Sequence, residues 1–274
     1  MSHSIDAEIV LLADGLVFPE GPAFSPDGAV WGVEMNAGRL FRLDDRALSS
    51  VRVGGKPNGL AVHDGSVFFC DAGRDAVMRL ASSWSEPVAI EPSIVSGPDR
   101  ALTAPNDLIF DARGVMIFTC PGSPRSGPSG TVWALSPSGR TTRIADGMHF
   151  PNGLALTPDG RELIVAETLG QRLWRGGWES QSMTWSDPRP WVDVGGAPLG
   201  PDGMAYGPDG LLYVALYGSS LIQVVGEDGR IVSSYAVPGA KPTNVAFDPS
   251  GRLGMVITEA SHGRLFSYPG VGEP

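Results

Sequence analysis

The feature of this sequence that most limits its fold is a segment that recurs six times along the 274 residues. Each copy opens with a proline, and successive opening prolines lie 38 to 50 residues apart. These prolines are Pro19, Pro57, Pro105, Pro151, Pro201 and Pro242. A repeat of about 40–50 residues is typical of one four-stranded blade of a β-propeller.

Each copy also has the local pattern of hairpin-linked strands. A short apolar run meets a turn such as Ser25-Pro26-Asp27-Gly28, and a second run of alternating apolar residues follows. No stretch keeps a 3.6-residue apolar period between helix caps. The sequence therefore predicts an all-β fold, in which residues 1–274 form a single six-bladed β-propeller domain with blades opening near the six prolines.

Composition limits the class of protein, its expected location and its partners. Hydrophobic residues make up 42% of the chain and charged residues 18%, which is typical of a packed globular protein. The net charge of −10 argues against a nucleic-acid or anionic-membrane partner. The first residues lack a signal-peptide pattern, no later run is apolar enough to span a membrane, and two cysteines cannot form a disulfide framework. We expect a soluble cytoplasmic protein.

One position in the repeat carries polar chemistry. The residue after each opening proline, here called the post-proline column, is in chain order Glu20, Asn58, Asn106, Asn152, Asp202 and Thr243. Equivalent positions of propeller blades lie at one height around the central channel, where unpaired polar groups are costly. Converging carboxylate and carboxamide oxygens suit one divalent ion, most simply Ca²⁺, with Mg²⁺ or Mn²⁺ as alternatives.

A plainer interpretation exists for each single copy. Pro-Asn-Gly and Pro-Asp-Gly are ordinary turn sequences, although Glu20 is a poor turn former. The six copies taken together favour the metal site. Zn²⁺ stays a weaker alternative, because the column has neither His nor Cys.

Four acids recur near the end of the second strand of a blade. They are Glu34, Asp71, Glu167 and Glu259. Two interpretations stay open at this point: the acids support the ion from behind its ligands, or they are solvated strand ends. His149 and Cys120 lie close to the same positions, and each has an ordinary explanation as a loop histidine or a buried small side chain.

At these residues the sequence resembles the SMP-30/gluconolactonase/regucalcin-like family of six-bladed propellers. The matching motifs are Phe18-Pro19-Glu20-Gly21-Pro22, Pro105-Asn106-Asp107, Phe150-Pro151-Asn152-Gly153-Leu154-Ala155, Val165-Ala166-Glu167-Thr168 and Pro201-Asp202-Gly203. They occur in family order from about Phe18 to Tyr268.

The resemblance implies a divalent metal ion held by Glu20, Asn152 and Asp202, with Asn106 as a fourth ligand or a substrate contact. It also implies hydrolysis of a lactone or related ester, with Asp202 as general base or nucleophile. We place Asn58, Asn106, Cys120, His149 and Glu167 around the substrate.

Two positions depart from the family pattern. Cys120 stands where many family lactonases have Asp, and Ala104 stands where sugar-lactone members often have Arg. Both changes remove polar groups from the substrate side, which favours a less polar lactone or small ester. Two alternatives remain: the same site recruited to phosphoester hydrolysis or a non-hydrolytic rearrangement, and a non-catalytic Ca²⁺-binding propeller.

Overall fold

The computed structural model describes residues 8–45, 47–81, 84, 89–97, 100–123, 127–196 and 198–272. These residues contain 24 β-strands. In chain order the strands are β1 (Val10–Ala13), β2 (Pro19–Phe24), β3 (Val30–Glu34), β4 (Arg39–Leu43), β5 (Leu48–Arg52), β6 (Pro57–His63), β7 (Ser66–Asp71), β8 (Ala76–Leu80), β9 (Ile90–Val95), β10 (Leu108–Phe110), β11 (Met116–Cys120), β12 (Gly130–Leu135), β13 (Thr141–Met148), β14 (Pro151–Leu156), β15 (Glu162–Glu167), β16 (Arg172–Glu179), β17 (Thr184–Asp193), β18 (Gly200–Tyr206), β19 (Leu212–Tyr217), β20 (Leu221–Val225), β21 (Ile231–Ala236), β22 (Pro242–Phe247), β23 (Met255–Glu259) and β24 (Arg264–Tyr268). Short 3₁₀ turns follow β3 (Met35–Ala37) and β15 (Thr168–Gly170). No helix within the described ranges has the length and apolar character needed to cross a membrane.

The strands form six antiparallel sheets of four, which are the blades of the propeller. Blades 1 to 5 are β2–β5, β6–β9, β10–β13, β14–β17 and β18–β21. Blade 6 combines β22, β23 and β24 with β1, whose residue Val10 pairs with Ser267 of β24. The first strand of the chain thus completes the last blade, and this pairing closes the ring. The six-bladed all-β architecture expected from the repeat is confirmed.

The innermost strand of each blade begins at or near its opening proline. β2, β6, β14 and β22 begin at Pro19, Pro57, Pro151 and Pro242. β18 begins one residue before Pro201, and β10 begins at Leu108, three residues after Pro105. A proline suits this position because the first residue of a strand can do without a ladder N–H donor.

The hydrophobic core lies between neighbouring blades. Leu40 and Phe69 belong to the cluster between blades 1 and 2, whereas Val30 and Leu265 belong to the cluster between blades 6 and 1. Alternate residues of a strand face opposite sides of its sheet, and both sides of a blade meet a neighbour. Each fully buried aliphatic or aromatic side chain stabilises the fold by about 1.5–3 kcal/mol. This packing holds the six inner strands rigidly around the channel.

Candidate functional site

Five members of the post-proline column converge at one end of the central channel. Glu20, Asn58, Asn106, Asn152 and Asp202 line a cavity of about 250 Å³, here called the column cavity. Its other lining residues are Phe18, Met35, Phe150, Thr168, Leu199 and Tyr217. The sixth column member, Thr243, is fully buried, and its hydroxyl donates to the Pro19 carbonyl, 2.9 Å away, between blades 6 and 1.

A β-bulge beside the column turns these side chains towards the channel. In blade 1 the pairing of β2 with β3 shifts register between Glu20 and Ala23. The same irregularity recurs at the start of the inner strands of blades 2, 4, 5 and 6. An inserted residue bends the strand and re-aims its side chain, which is why bulges are common beside active sites.

Glycine follows the column position in four blades, at Gly21, Gly59, Gly153 and Gly203. These glycines permit close contact between neighbouring inner strands. A Cβ on Gly153 would lie 2.3 Å from the Asp202 carbonyl oxygen, a distance that no side chain tolerates. The glycines therefore let the strands approach closely enough to bring the column side chains together.

The two remaining blades place side chains, Asp107 and Asn244, where the others have glycine. Both are buried, and the Asn244 Nδ2 donates to the Asp107 Oδ2 across the channel at 3.2 Å. Blades 3 and 6 stand opposite each other in the ring, and the glycines of the other blades leave room for this bridge. The sequence interpretation missed both residues, although the break in the glycine pattern marks them.

Three carboxyl groups thus lie near the channel axis: Glu20, Asp202 and Asp107, here called the channel acids. Burial and then repulsion from Asp202 and Asp107 raise the pKa of Glu20 well above its usual range. Burial and repulsion from Asp107 do the same to the pKa of Asp202. Burial raises the pKa of Asp107 to about 6. Of the described residues that line the column cavity, none is Lys, Arg or His.

The donor set fits a hard divalent cation. Uncompensated buried carboxylates need an opposite charge when they ionise, and carboxylate and carboxamide oxygens are ligands that Ca²⁺ and Mg²⁺ prefer. In the described part of the chain, no group of three or more His, Cys, Asp or Glu side chains is arranged to hold a metal by itself. A metal ion in this cavity would therefore depend on the carboxamides of Asn106 and Asn152 as well as on Glu20 and Asp202.

Thr168 orients one of these carboxamides. The Asn152 Nδ2 donates to the Thr168 Oγ1 at 3.2 Å, and that hydroxyl donates to the Pro201 carbonyl of blade 5 at 2.7 Å. Asn152 also hydrogen-bonds Asp202, which partly offsets the rise in the pKa of Asp202. Thr168 therefore ties a column side chain of blade 4 to the strand that carries Asp202.

The four acids at the ends of the second strands, here called the cap acids, are buried and hydrogen-bonded. They are Glu34, Asp71, Glu167 and Glu259, with at most 3% of each residue exposed. Each accepts a backbone N–H just before the opening proline of its blade: Val17 at 3.1 Å, Lys56 at 2.9 Å, His149 at 2.7 Å and Lys241 at 3.1 Å. The interpretation as solvated strand ends is wrong, because these carboxylates fasten the loop that enters each inner strand.

Three residues placed around the substrate do not line the column cavity. The carboxylate of Glu167 accepts hydrogen bonds from the His149 N–H, the Arg172 guanidinium and the Trp174 indole. His149 is half-buried and bonds through that backbone N–H. Cys120 is 1% exposed within the hydrophobic cluster between blades 2 and 3, where burial raises its pKa to about 12. The thiol is therefore un-ionised and packed as a small apolar group.

Comparison with known proteins agrees with this geometry. The chain is 27% identical to a pentonolactonase of Haloferax volcanii, over 88% of this chain and 81% of the relative. It is 26% identical to the diisopropyl-fluorophosphatase of Loligo vulgaris, over 91% and 88%. The solved structure of a gluconolactonase from Xanthomonas campestris superposes with a TM-score of 0.84 and 24% identity, covering 97% of this chain and 90% of that one. This last likeness establishes the fold.

The family assignment follows from the sequence profile as well as from the propeller. The profile described as the SMP-30/gluconolactonase/LRE-like region matches residues 6–261, which includes all six opening prolines and the whole post-proline column. The chain belongs to the SMP-30/gluconolactonase/LRE-like family.

Proposed function

We propose that this protein is a lactone hydrolase whose reaction takes place in the column cavity, with one divalent metal ion held by Glu20, Asn106, Asn152 and Asp202. The observation that supports this most is the meeting of two buried carboxyl groups, Glu20 and Asp202, with three carboxamides in a cavity whose described lining has no basic side chain. Relatives named as lactonases supply the reaction class.

The bound ion would polarise the lactone carbonyl and stabilise negative charge that develops on its oxygen. The chain's own residues do the rest. Asn58 reaches the cavity and has no side-chain hydrogen-bond partner among the described residues, so its amide is available to orient the substrate. Asp202 is buried in the lining of the cavity, where its carboxylate can take a proton from a water molecule.

Two roles are open for Asp202. As a general base it takes a proton from water while the water oxygen bonds to the carbonyl carbon. The ring C–O bond then breaks, and the released hydroxyl oxygen receives a proton. As a nucleophile its carboxylate attacks the carbonyl carbon first, and the ring C–O bond breaks while its oxygen takes a proton. Water then attacks the Asp202 carboxyl carbon of the resulting anhydride and releases the hydroxy acid. A single turnover in isotopically labelled water separates the roles, because the nucleophile route puts an unlabelled carboxylate oxygen into the first product.

The test of the proposal is hydrolysis of a lactone panel by metal-stripped protein, with Ca²⁺, Mg²⁺, Mn²⁺ and Zn²⁺ added back singly. We expect one or more ions to restore turnover, and Asp202→Asn to lower it by about a thousandfold. Asp64→Asn is the matched control, because Asp64 is exposed on a hairpin turn and asparagine tolerates its φ of 46°. Turnover that needs no metal, or that survives Asp202→Asn, would contradict the proposal.

A second candidate reaction, hydrolysis of a phosphofluoridate, is favoured by the similarity to the diisopropyl-fluorophosphatase of Loligo vulgaris. The same residues would serve, since a polarised phosphoryl oxygen resembles a polarised carbonyl oxygen in charge. A phosphofluoridate added to the panel compares the two reactions directly. Metal binding without turnover of either class would instead favour a non-catalytic metal-binding propeller.

A further inference from the structure

The wall of the column cavity differs in chemistry from its floor. The floor is polar, whereas the wall consists of five half-buried apolar or aromatic residues, Phe18, Met35, Phe150, Leu199 and Tyr217. They come from blades 1, 4 and 5 and the loops that lead into them. A ligand that reaches the floor with a carbonyl group must therefore lay the rest of its surface against hydrocarbon.

Two of these wall residues are held in an unfavourable backbone conformation. Phe18 has a φ of 59° and Phe150 a φ of 62°, each directly before an opening proline. A bulky side chain in the left-handed region costs energy, and glycine or asparagine would fit there more cheaply. Ala104 occupies the same position in blade 3 with a φ of 52° and only a methyl group. The strain in blades 1 and 4 thus accompanies two aromatic rings at the cavity, where strain is often functional.

Of the three guanidinium groups that contact cap acids within the described residues, two are engaged in hydrogen bonds, and the third, Arg39, forms a 3.9 Å ion pair with Glu34. Arg74 bonds to Asp71 and to the Val53 carbonyl, and Arg172 bonds to Glu167. The Lys241 ammonium lies 5.5 Å from the centroid of the Tyr217 ring. These cations serve acids and an aromatic face, so they do not supply the row of free donors that a polyhydroxylated ring would need.

Two exposed aliphatic residues directly adjoin lining residues of the cavity in the chain. Val17, next to Phe18, is 44% exposed, and Leu169, next to Thr168, is 40% exposed. Exposed aliphatic residues that flank an apolar cavity extend its contact surface for a hydrocarbon chain. The column cavity itself, at 250 Å³, has the volume of roughly eight waters at about 30 Å³ each. It therefore fits a small ring with a short tail that leaves over the rim.

We propose that the substrate is a lactone whose ring carries a hydrocarbon substituent in place of hydroxyl groups. This inference rests on the proposed function and specifies its substrate class. A buried methylene group improves binding by roughly fourfold. A hydroxyl group pressed against Phe18, Phe150 or Leu199 would lose its water without gaining a partner. The wall therefore disfavours hydroxylated lactones, whose hydroxyl groups would lack partners, as much as it favours alkyl-substituted lactones through apolar contact.

The experiment uses two lactones matched in size. δ-Decalactone and glucono-δ-lactone have the same six-membered lactone ring and the same number of non-hydrogen atoms. δ-Decalactone carries a pentyl tail, whereas glucono-δ-lactone carries hydroxyl groups. With the ion that restores turnover, and after subtraction of the enzyme-free rate, we expect kcat/KM to be at least about tenfold higher for δ-decalactone.

Variants of the wall test its role. Met35→Gln keeps the shape of the side chain, and Phe150→Asn places a residue that tolerates positive φ. Each should lower the ratio of the two kcat/KM values about fivefold or more. Phe110→Asn is the control, because Phe110 lines a cavity at the opposite end of the channel and stacks on His63; it should leave the ratio unchanged. Met35→Gln serves alone if Phe150→Asn does not fold.

The outcomes separate the two proposals. Hydrolysis of neither lactone with any ion overturns the proposed function, and the inference with it. Equal or preferred hydrolysis of glucono-δ-lactone overturns the inference and leaves the lactonase standing. A preference for δ-decalactone that Met35→Gln and Phe150→Asn do not change, in folded protein, overturns the role of the wall.

Discussion

Two sets of buried acids in this propeller behave in opposite ways. Three of the four cap acids, Asp71, Glu167 and Glu259, accept several hydrogen bonds each; Glu259, for example, accepts the N–H groups of Lys241, Ser261 and His262. Burial alone would raise its pKa, but these bonds outweigh burial and lower it. The channel acids accept few hydrogen bonds. Burial raises the pKa of each, and repulsion from neighbouring channel acids raises the pKa values of Glu20 and Asp202 further.

The difference shows that burial by itself does not mark a functional acid. Both sets are nearly inaccessible to solvent, and both recur with the blade repeat. What separates them is whether the fold itself neutralises the charge. The cap acids are satisfied by the chain and need nothing else, whereas the channel acids are satisfied only by protons or by an added cation. A metal ion should therefore act on one set and not on the other.

The largest effect on stability that we expect is a pH dependence of the metal-free protein. The pKa of Asp107 rises from 3.8 to about 6. The folded state therefore holds more protons than the unfolded state between these values, and stability falls as pH rises through them. Asp107 alone contributes a loss of about 3 kcal/mol, and Glu20 and Asp202 act in the same direction. Urea unfolding of metal-free protein between pH 4 and 8 measures the loss.

The cap acids give the opposite slope at lower pH. Because the pKa values of Glu167 and Glu259 are lowered, their contribution is lost as pH falls below their ordinary value of 4.5. A saturating divalent ion should remove the decline above pH 5 and leave this acid limb unchanged, since metal competes with protons only at the channel. A metal-free protein whose stability is flat from pH 5 to pH 8 would contradict the distinction.

The same substitution should have opposite signs in the two sets. Glu259→Gln leaves backbone N–H groups facing a neutral amide, and we expect a loss of about 2 kcal/mol in the free energy of unfolding. For a chain of this size the melting temperature falls by roughly 3–4 °C. Glu20→Gln removes an uncompensated charge, and it should stabilise the metal-free protein at pH 8. Thermal unfolding of both variants without metal makes the comparison.

Activity provides the reverse test of this pair. Glu259→Gln should retain kcat in the fraction that is folded, because the cap acid does not reach the cavity. Glu20→Gln should lose metal-dependent turnover. If Glu20→Gln destabilised the metal-free protein as much as Glu259→Gln does, the two sets would be equivalent and the channel acids would be structural.

The sequence predicts the propeller and the post-proline column because both depend on the repeat alone. Once six copies share one register, equivalent residues must meet at the channel, whatever the details of packing. Asp107 and Asn244 obey the same rule, and a comparison of the position after the column would have found them. The sequence locates the cap acids but does not explain them, because their shared partners are backbone N–H groups. Nearly every residue type has a backbone N–H, so the sequence does not mark these partners.

The cavity wall is harder to foresee. Phe18 and Phe150 precede opening prolines and belong to the repeat, but Met35, Leu199 and Tyr217 reach the cavity from a 3₁₀ turn, a loop and a strand end. Their meeting depends on the three-dimensional path of the chain. For Cys120 the sequence position misleads in the other direction. It is the last residue of β11, where we expected a substrate contact, yet its side chain faces the hydrophobic cluster between blades 2 and 3. Strand position predicts the height of a residue, and packing decides its direction.

The smallest effect that we expect concerns Thr168, which follows a cap acid in the chain and touches a column side chain. Thr168→Val keeps the shape and removes the hydroxyl that holds the Asn152 carboxamide. Loss of a hydrogen bond behind a metal ligand commonly weakens metal binding by about tenfold. Titration calorimetry of the metal-free protein with the activating ion should therefore give a Kd about ten times higher.

Thr119→Val is the matched control for this prediction. Thr119 is also buried and also joins two blades, since its hydroxyl donates to the Asn152 backbone carbonyl at 2.8 Å. It touches the backbone of Asn152, whereas Thr168 touches the carboxamide. Both variants should lose about 1 kcal/mol of stability, but only Thr168→Val should raise the Kd. An equal rise in both would mean that the join between blades, rather than the orientation of the carboxamide, governs metal affinity.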